Sequence, residues 1–272
     1  MKFKPLLYIP VFYLAAIMPR MFERPDVSSL MGYHYAHRGL HDNNGDAPEN
    51  SLPAFKKAIE AGYGIEFDVQ LTKDHIPVVF HDESLKRVCG TNKNVRELTY
   101  DELQKLSLFD TSEKIPTLKE VLALIDGRVP VIIEIKVYAS PSIVCEYADP
   151  LISAYKGAYC VESFHPLALR WYKIHRSNVI RGQLSSNFKD ENSNEPLERS
   201  LVHHLLTNFL CRPDFIAYDH TYKNNLSRCI CRYFFGSLSV SWTIHSQDEL
   251  DACKDDYDLF IFEGFEPEQK NR

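Results

Sequence analysis

Short β-type runs alternate with helix-length stretches from residue 33 almost to the end of this 272-residue chain, and the alternation predicts an α/β fold, a (β/α)8 TIM barrel. Two further observations agree. About 240 residues is the size of one such barrel. Two of the strands also carry charged residues at every second position, as strands do when one face lines a barrel interior. No internal repeat or low-complexity linker divides the chain, so residues 30–272 are expected as one domain. A hydrophobic segment at 1–24 precedes it, and a small insertion after the early strands is expected at about 83–116.

Strands are expected at 33–37, 64–71, 76–81, 129–136, 159–163, 179–184, 214–218, 238–243 and 259–263, with helices at 52–61, 117–125, 166–175, 196–210 and 247–254. The first helix is well marked. Asn50 or Ser51 can cap it, Pro53 suits its first turn, Gly62 ends it, and Leu52, Phe55, Ala58 and Ile59 fall on one face. Nine strands are one too many for the barrel. The surplus lies in 64–71 and 76–81, which only "TKDH" separates, too few residues for a helical crossover. The polar run "NFKDENSNEP" (187–196) is expected as a mobile loop beside a strand end.

Composition narrows the function. The chain is 44% hydrophobic and 25% charged, ordinary for a globular protein, and its net charge of −6 gives nucleic acid no electrostatic footing. Any phosphate must be bound by local cations or a metal. Seven scattered cysteines without a CxxC pair read as free thiols in a reducing compartment. At the N-terminus, Lys2 and Lys4 precede the apolar run 5–18, and Arg20 and Arg24 follow it. Fourteen residues span about 21 Å as a helix, short of the ~30 Å hydrocarbon core, although flanking residues extend the reach. No small-residue cleavage site follows, so a membrane anchor or interfacial helix is expected. It would make membrane contact through residues 3–22, with the barrel in the cytosol.

The charged strands point to the chemistry. In "GIEFDVQL" (64–71), Ile65, Phe67 and Val69 face one way while Glu66, Asp68 and Gln70 face the other. In "VIIEIK" (131–136), Glu134 and Lys136 alternate with apolar residues in the same way. Glu66, Asp68 and Glu134 therefore gather at one barrel mouth. Such carboxylates repel unless a cation joins them, and an all-oxygen set suits Mg²⁺ or Ca²⁺ better than zinc. The competing reading is a salt-bridge network balanced by Lys136 and Arg38. His37 and His81 end strands on the same rim, which makes them a candidate acid–base pair, and Asp82 could orient a ring. Other residues take bland readings: Trp171 and Tyr63 as packing, His203 and His204 as a solvated helix edge, and Asp219 and His220 as weak rim candidates.

Five ordered motifs, "HRG" (37–39), "PENS" (48–51), "EFDVQLTKD" (66–74), "VVFHD" (78–82) and "IEIK" (133–136), resemble the glycerophosphodiester phosphodiesterase family. "ESF" (162–164), "RGQL" (181–184) and "SWT" (241–243) agree more loosely. The resemblance implies a barrel that hydrolyses glycerophosphodiesters to an alcohol and glycerol phosphate with a bound divalent metal. It implies Glu66, Asp68 and Glu134 as metal ligands, His37 and His81 as acid and base, and Arg38 and Lys136 on the phosphate. Trp242 would line the glycerol side. Glu49, within "PENS", is expected either as an acceptor supporting the site or as a helix-start residue. Two places depart from the family pattern, His245 and "FIFEGFEP" (260–267), and both bear on substrate choice. The alternatives are a lysophospholipase D or sphingomyelinase D-like enzyme acting on lysolipids, and a non-catalytic barrel binding lipid headgroups at a membrane.

Overall fold

Residues 8–188 and 197–268 are described by the structure, a computed structural model. Residues 1–7 of the expected anchor and 189–196 of the expected loop lie outside them. The strands are β1 (His34–His37), β2 (Gly64–Leu71), β3 (Pro77–Val79), β4 (Val131–Ile135), β5 (Tyr159–Ser163), β6 (Arg181–Ser185), β7 (Phe215–Asp219), β8 (Leu238–Ile244) and β9 (Leu259–Phe262). All but β3 are parallel, and pairing of β1 with both β9 and β2 closes them into an eight-stranded barrel. β3 is the surplus strand. It folds back antiparallel on the end of β2, with Val69 opposite Val79, as the short five-residue connection 72–76 allows.

Alternation along the strands separates two apolar layers. Ile65, Phe67, Val69, Ile133 and Ile135 point outward under the helices. Tyr35, Ile132, Phe215, Val240, Leu259 and Ile261 fill the barrel's interior below the mouth. The rings are admitted by a missing side chain: a Cβ on Gly182 would stand 2.0 Å from the Phe215 ring. Ser51 caps helix Leu52–Glu60 by accepting from the Ala54 amide, and Thr117 and Glu120 form a reciprocal capping box on helix Leu118–Ile125.

Three elements differ from expectation. Helix Pro141–Ala154 crosses from β4 to β5 although Pro150 interrupts its pattern, because Val144, Cys145, Ala148 and Ile152 still share a buried face. The single helix expected over 196–210 is two, Leu197–His203 and Asn208–Cys211, separated where Leu205 takes a left-handed backbone (φ 55°). The segment after β3 carries short helices Lys86–Cys89 and Tyr100–Leu103 and its own apolar cluster, built from residues such as Phe80, Leu85, Val88, Val95 and Leu103.

The N-terminal segment corrects a further expectation. Its helix, Tyr8–Ile17, has 10 residues, about 15 Å. Among the described residues no helix is long and apolar enough to cross a membrane. The helix lies on the barrel instead. Ile17 is fully buried, Asn208 Nδ2 donates to its carbonyl at 2.7 Å, and Arg212 Nη1 donates to Ala15 O at 3.0 Å and Met18 O at 2.7 Å. Tyr13 and Ser227 share a 2.8 Å hydroxyl bond, and Arg20 Nη1 donates to Ser177 O. Membrane association through this segment is therefore withdrawn, and with it the cytosolic placement of a membrane-held barrel that the free thiols had suggested. The seven cysteines are free thiols, as expected.

If the segment is part of the fold, Ile17→Ala should lower unfolding stability by about 2–4 kcal/mol, the cost of an aliphatic cavity. Phe12→Ala, at a side chain 71% exposed, should change it by less than about 0.5 kcal/mol. Urea unfolding of the two variants checks the contrast.

Candidate active site

The C-terminal ends of β1, β2, β4, β5 and β9 form one mouth, and strand register sets its chemistry. Asp68 on β2 is directly beside Glu134 on β4, and Glu134 is beside Glu162 on β5. Glu66, Asp68 and Glu134 are buried, and one oxygen from each falls within 4.8 Å of the others. Burial first, and then the neighbouring carboxylates, push Glu66 well above the usual carboxylate range and raise Glu134. Burial would also raise Asp68. It is instead held far below the range by Lys136, His81, Arg38 and His37.

The cations expected here are present. Lys136 Nζ is 2.8 Å from Glu134 Oε1 and 3.1 Å from Asp68 Oδ1, and these partners keep it charged despite its burial. Arg38 takes a left-handed backbone (φ 56°), which lets its amide donate to Glu66 Oε2 at 3.2 Å while Nη1 donates to Glu49 Oε1 at 2.7 Å. Gly39 continues the turn (φ 84°), and a Cβ there would meet the Ala54 carbonyl carbon at 2.9 Å. Asn50 Nδ2 donates to Asp68 Oδ2 at 2.8 Å.

The residues fit a hard divalent cation. Every donor in the trio is a carboxylate oxygen, and Asp68 Oδ1, ion-paired with Lys136 at 3.1 Å, is buried with no hydrogen bond of regular geometry. Counting Glu162, four buried carboxylates face two cations, so Arg38 and Lys136 alone do not balance the mouth. Glu162, missed in the sequence, has a buried Oε2 without a hydrogen-bond partner, and burial with Glu134 raises its pKa well above normal. It was legible only as the inward position of "ESF".

Each rim histidine has its own carboxylate. His81 Nδ1 is 2.6 Å from Asp82 Oδ1, the orienting contact expected from the sequence. His37 Nδ1 is 2.6 Å from Glu263 Oε2, and its Nε2 lies 3.9 Å from Glu66 Oε2. Burial pulls His37 down to about 4, against the opposing pull of Glu263. Glu263 sits where "FIFEGFEP" departs from the family pattern, and only the closed barrel shows that β9 ends beside β1.

Glu49 is enclosed by polar donors: Arg38, Asn43 and both terminal nitrogens of Arg87. Burial would raise its pKa, yet these partners, Arg87 foremost, bring it down to about 2. Arg87 comes from the segment after β3. Its Nε also donates to Asp82 Oδ2 at 2.7 Å, so that segment braces both Glu49 and the His81 partner. Trp242, on β8, meets Phe164 edge-on with ring centroids 5.5 Å apart, and Phe164 meets Phe188 at 5.8 Å. Together they make an aromatic wall. His203 is not a solvated edge, because its Nδ1 is 2.9 Å from Ser186 O and 3.1 Å from the Tyr218 hydroxyl. Trp171 and Tyr63 pack against the core, as expected.

Residues 37–210 match the profile of the glycerophosphoryl diester phosphodiesterase family. A glycerophosphodiester phosphodiesterase of Caldanaerobacter subterraneus is 45% identical over 100 residues, 34% of this chain and 40% of that protein. A human lysophospholipase D is 34% identical over 143 residues, 48% of this chain and 44% of that protein. The chain thus spans less than half the length of these curated relatives. Among solved structures, a Thermotoga maritima glycerophosphodiester phosphodiesterase aligns with a TM-score of 0.61 at 28% identity, covering 85% of this chain and 94% of that one. An Oleispira antarctica phosphodiesterase in complex with sn-glycerol-3-phosphate aligns with a TM-score of 0.69 at 21% identity, over 86% and 94%, and shares the fold.

A cation that joins the trio should stabilise the fold. At about 100 times its dissociation constant, Mg²⁺ or Ca²⁺ should add roughly 2.7 kcal/mol, a melting rise of about 5–10 °C that EDTA reverses and Asp68→Asn abolishes. The lowered pKa of Glu49 gives a second test. A depressed carboxylate stabilises above its unfolded pKa, near 4.5, and that stability is lost as pH falls towards about 2. Arg87→Ala should therefore cost stability at pH ~6 and much less at pH ~2.5, read by denaturant unfolding at the two pH values.

Proposed function

Because the chain belongs to the glycerophosphoryl diester phosphodiesterase family, we propose that it hydrolyses glycerophosphodiesters to an alcohol and glycerol phosphate, with residues 30–272 as the catalytic unit. The observation that carries this reading is the carboxylate trio standing between two histidines that are each anchored by their own carboxylate. Glu66, Asp68 and Glu134 would hold a divalent cation, Mg²⁺ or Ca²⁺, whose chemistry there is to neutralise the phosphodiester's charge and so permit attack.

This chain's own groups do the rest. Arg38 and Lys136 hold the phosphate oxygens as fixed, always-charged donors. His37, with Nδ1 committed to Glu263, presents Nε2 as the base, and its low pKa keeps it neutral near pH 7. It takes the proton of the glycerol hydroxyl next to the phosphate, and that oxygen forms a new bond to phosphorus. The bond from phosphorus to the alcohol oxygen breaks, and His81, held by Asp82, protonates the departing alcohol. The resulting cyclic phosphate is opened by water with the roles reversed. Trp242 lines the glycerol side.

The aromatic wall of Trp242, Phe164 and Phe188 favours a second reading in which the glycerol carries an acyl chain, as in lysolipids. The two readings separate in one assay. The full chain, with Mg²⁺ or Ca²⁺ and then EDTA, is offered glycerophosphocholine, glycerophosphoethanolamine and lysophosphatidylcholine, and glycerol phosphate or lysophosphatidate is measured. Glycerol phosphate should dominate, and His37→Ala or His81→Ala should lower the rate about 10²-fold or more without removing the cation-dependent melting rise. Full activity in the double histidine variant overturns the proposal.

A further inference from the structure

Glu263 touches no residue of the carboxylate trio, yet both its oxygens are engaged by histidines. Oε2 is 2.6 Å from His37 Nδ1, and Oε1 is 3.5 Å from His41 Nε2. His41 follows the "HRG" turn, and its side chain is 9% exposed. Neither of its ring nitrogens forms a regular hydrogen bond, so its nearest polar partner is this carboxylate. The backbone holds the three together, since β9 pairs with β1 up to Ala36 opposite Phe262, and the next residues on the two strands are His37 and Glu263.

We propose that Glu263 is the positioning residue for His37: it accepts the Nδ1 proton, fixes the tautomer whose Nε2 lone pair faces the mouth, and is itself steadied through its other oxygen by His41. The inference rests on the reading of His37 as the base, and the geometry supports it in two ways. A neutral imidazole carries its proton on one nitrogen only, and the nitrogen that meets a carboxylate keeps it. Without that acceptor the proton is free to sit on Nε2, where it blocks proton abstraction, and the ring is free to turn about its side-chain bonds. The two histidines hold Glu263 far below the usual carboxylate range, so it is an ionised acceptor at any working pH. His41 is a second positioning residue, one step further out.

Two readouts test this on the full chain. Long-range ¹H–¹⁵N spectra of the imidazoles at about pH 8, where His37 is neutral, should show it in the Nδ1–H form in the wild type and in mixed forms in Glu263→Ala. On the substrate the wild type turns over, Glu263→Ala should lose roughly 10–100-fold in kcat with KM changed less than about threefold and the cation-dependent melting rise intact. Glu263→Gln keeps an acceptor oxygen and should restore the Nδ1–H form and most of the rate. His41→Phe should have a smaller effect of the same kind. An unchanged His37 tautomer in Glu263→Ala overturns the inference, and so does a rate loss that Glu263→Gln does not recover. The spectra answer even if the chain hydrolyses none of the esters offered, so failure here is distinct from failure of the proposed activity.

Discussion

Four carboxylates buried in one barrel mouth are the constraint to which the rest of the site answers. Asp68, Glu134 and Glu162 lie side by side on β2, β4 and β5, because parallel register places inward residues of adjacent strands at one level, and Glu66 stands two residues earlier on β2, beside His37. In a low-dielectric interior each raises the cost of ionising the next. Lys136 and Arg38 answer part of that cost, and Asp68, which both approach, is the member kept ionised. Glu66 and Glu134 are left raised, and protons or a metal ion must satisfy them. The neighbours follow from the same need. Asn50 donates to Asp68, and the strained turn at Arg38 turns an amide towards Glu66.

What could be read in the sequence was whatever repeats at short range. The alternation of strand and helix led to the barrel, and the period of two in "GIEFDVQL" and "VIIEIK" placed the trio on the inner face before any contact was known. Asp82, adjacent in sequence to His81, was likewise legible as its partner. Glu263 was not, because its link to His37 spans 226 residues and exists only once β9 closes against β1. Arg87 was hidden for a related reason: it lies in the segment after β3, and its grip on Glu49 comes from tertiary folding. The N-terminal run shows the limit of hydropathy. An apolar stretch signals a surface that needs covering, and here Asn208, Arg212 and a buried Ile17 show that the barrel covers the C-terminal end of the helix, while Val11 and Phe12 stay exposed. Leu205 and Pro150 mark the same limit for helices, since packing overrides local preference in one place and a backbone break overrides periodicity in the other.

The two rim histidines are built alike and braced differently, and the difference suits different work. His81 is tied to Asp82, which Arg87 clamps, so its carboxylate is shared with a permanent cation. His37 is tied to Glu263, whose other oxygen has only a histidine, His41, as a polar partner among the described residues. Around His37 the deciding influence is burial, which favours the neutral ring, whereas His81 is about twice as exposed, 31% against 16%. A ring that is neutral and held by one nitrogen is prepared to accept a proton. His81 is more open to water and held through Nδ1 by Asp82. In the proposed mechanism, microscopic reversal for the second step would ask each histidine to give back what it took. That is feasible because both keep Nε2 free of any hydrogen bond among the described residues. The asymmetry thus comes from the second partner of each carboxylate, Arg87 on one side and His41 on the other, and those partners lie on connecting segments, Arg87 in the short helix after β3, rather than on the strands that carry the trio.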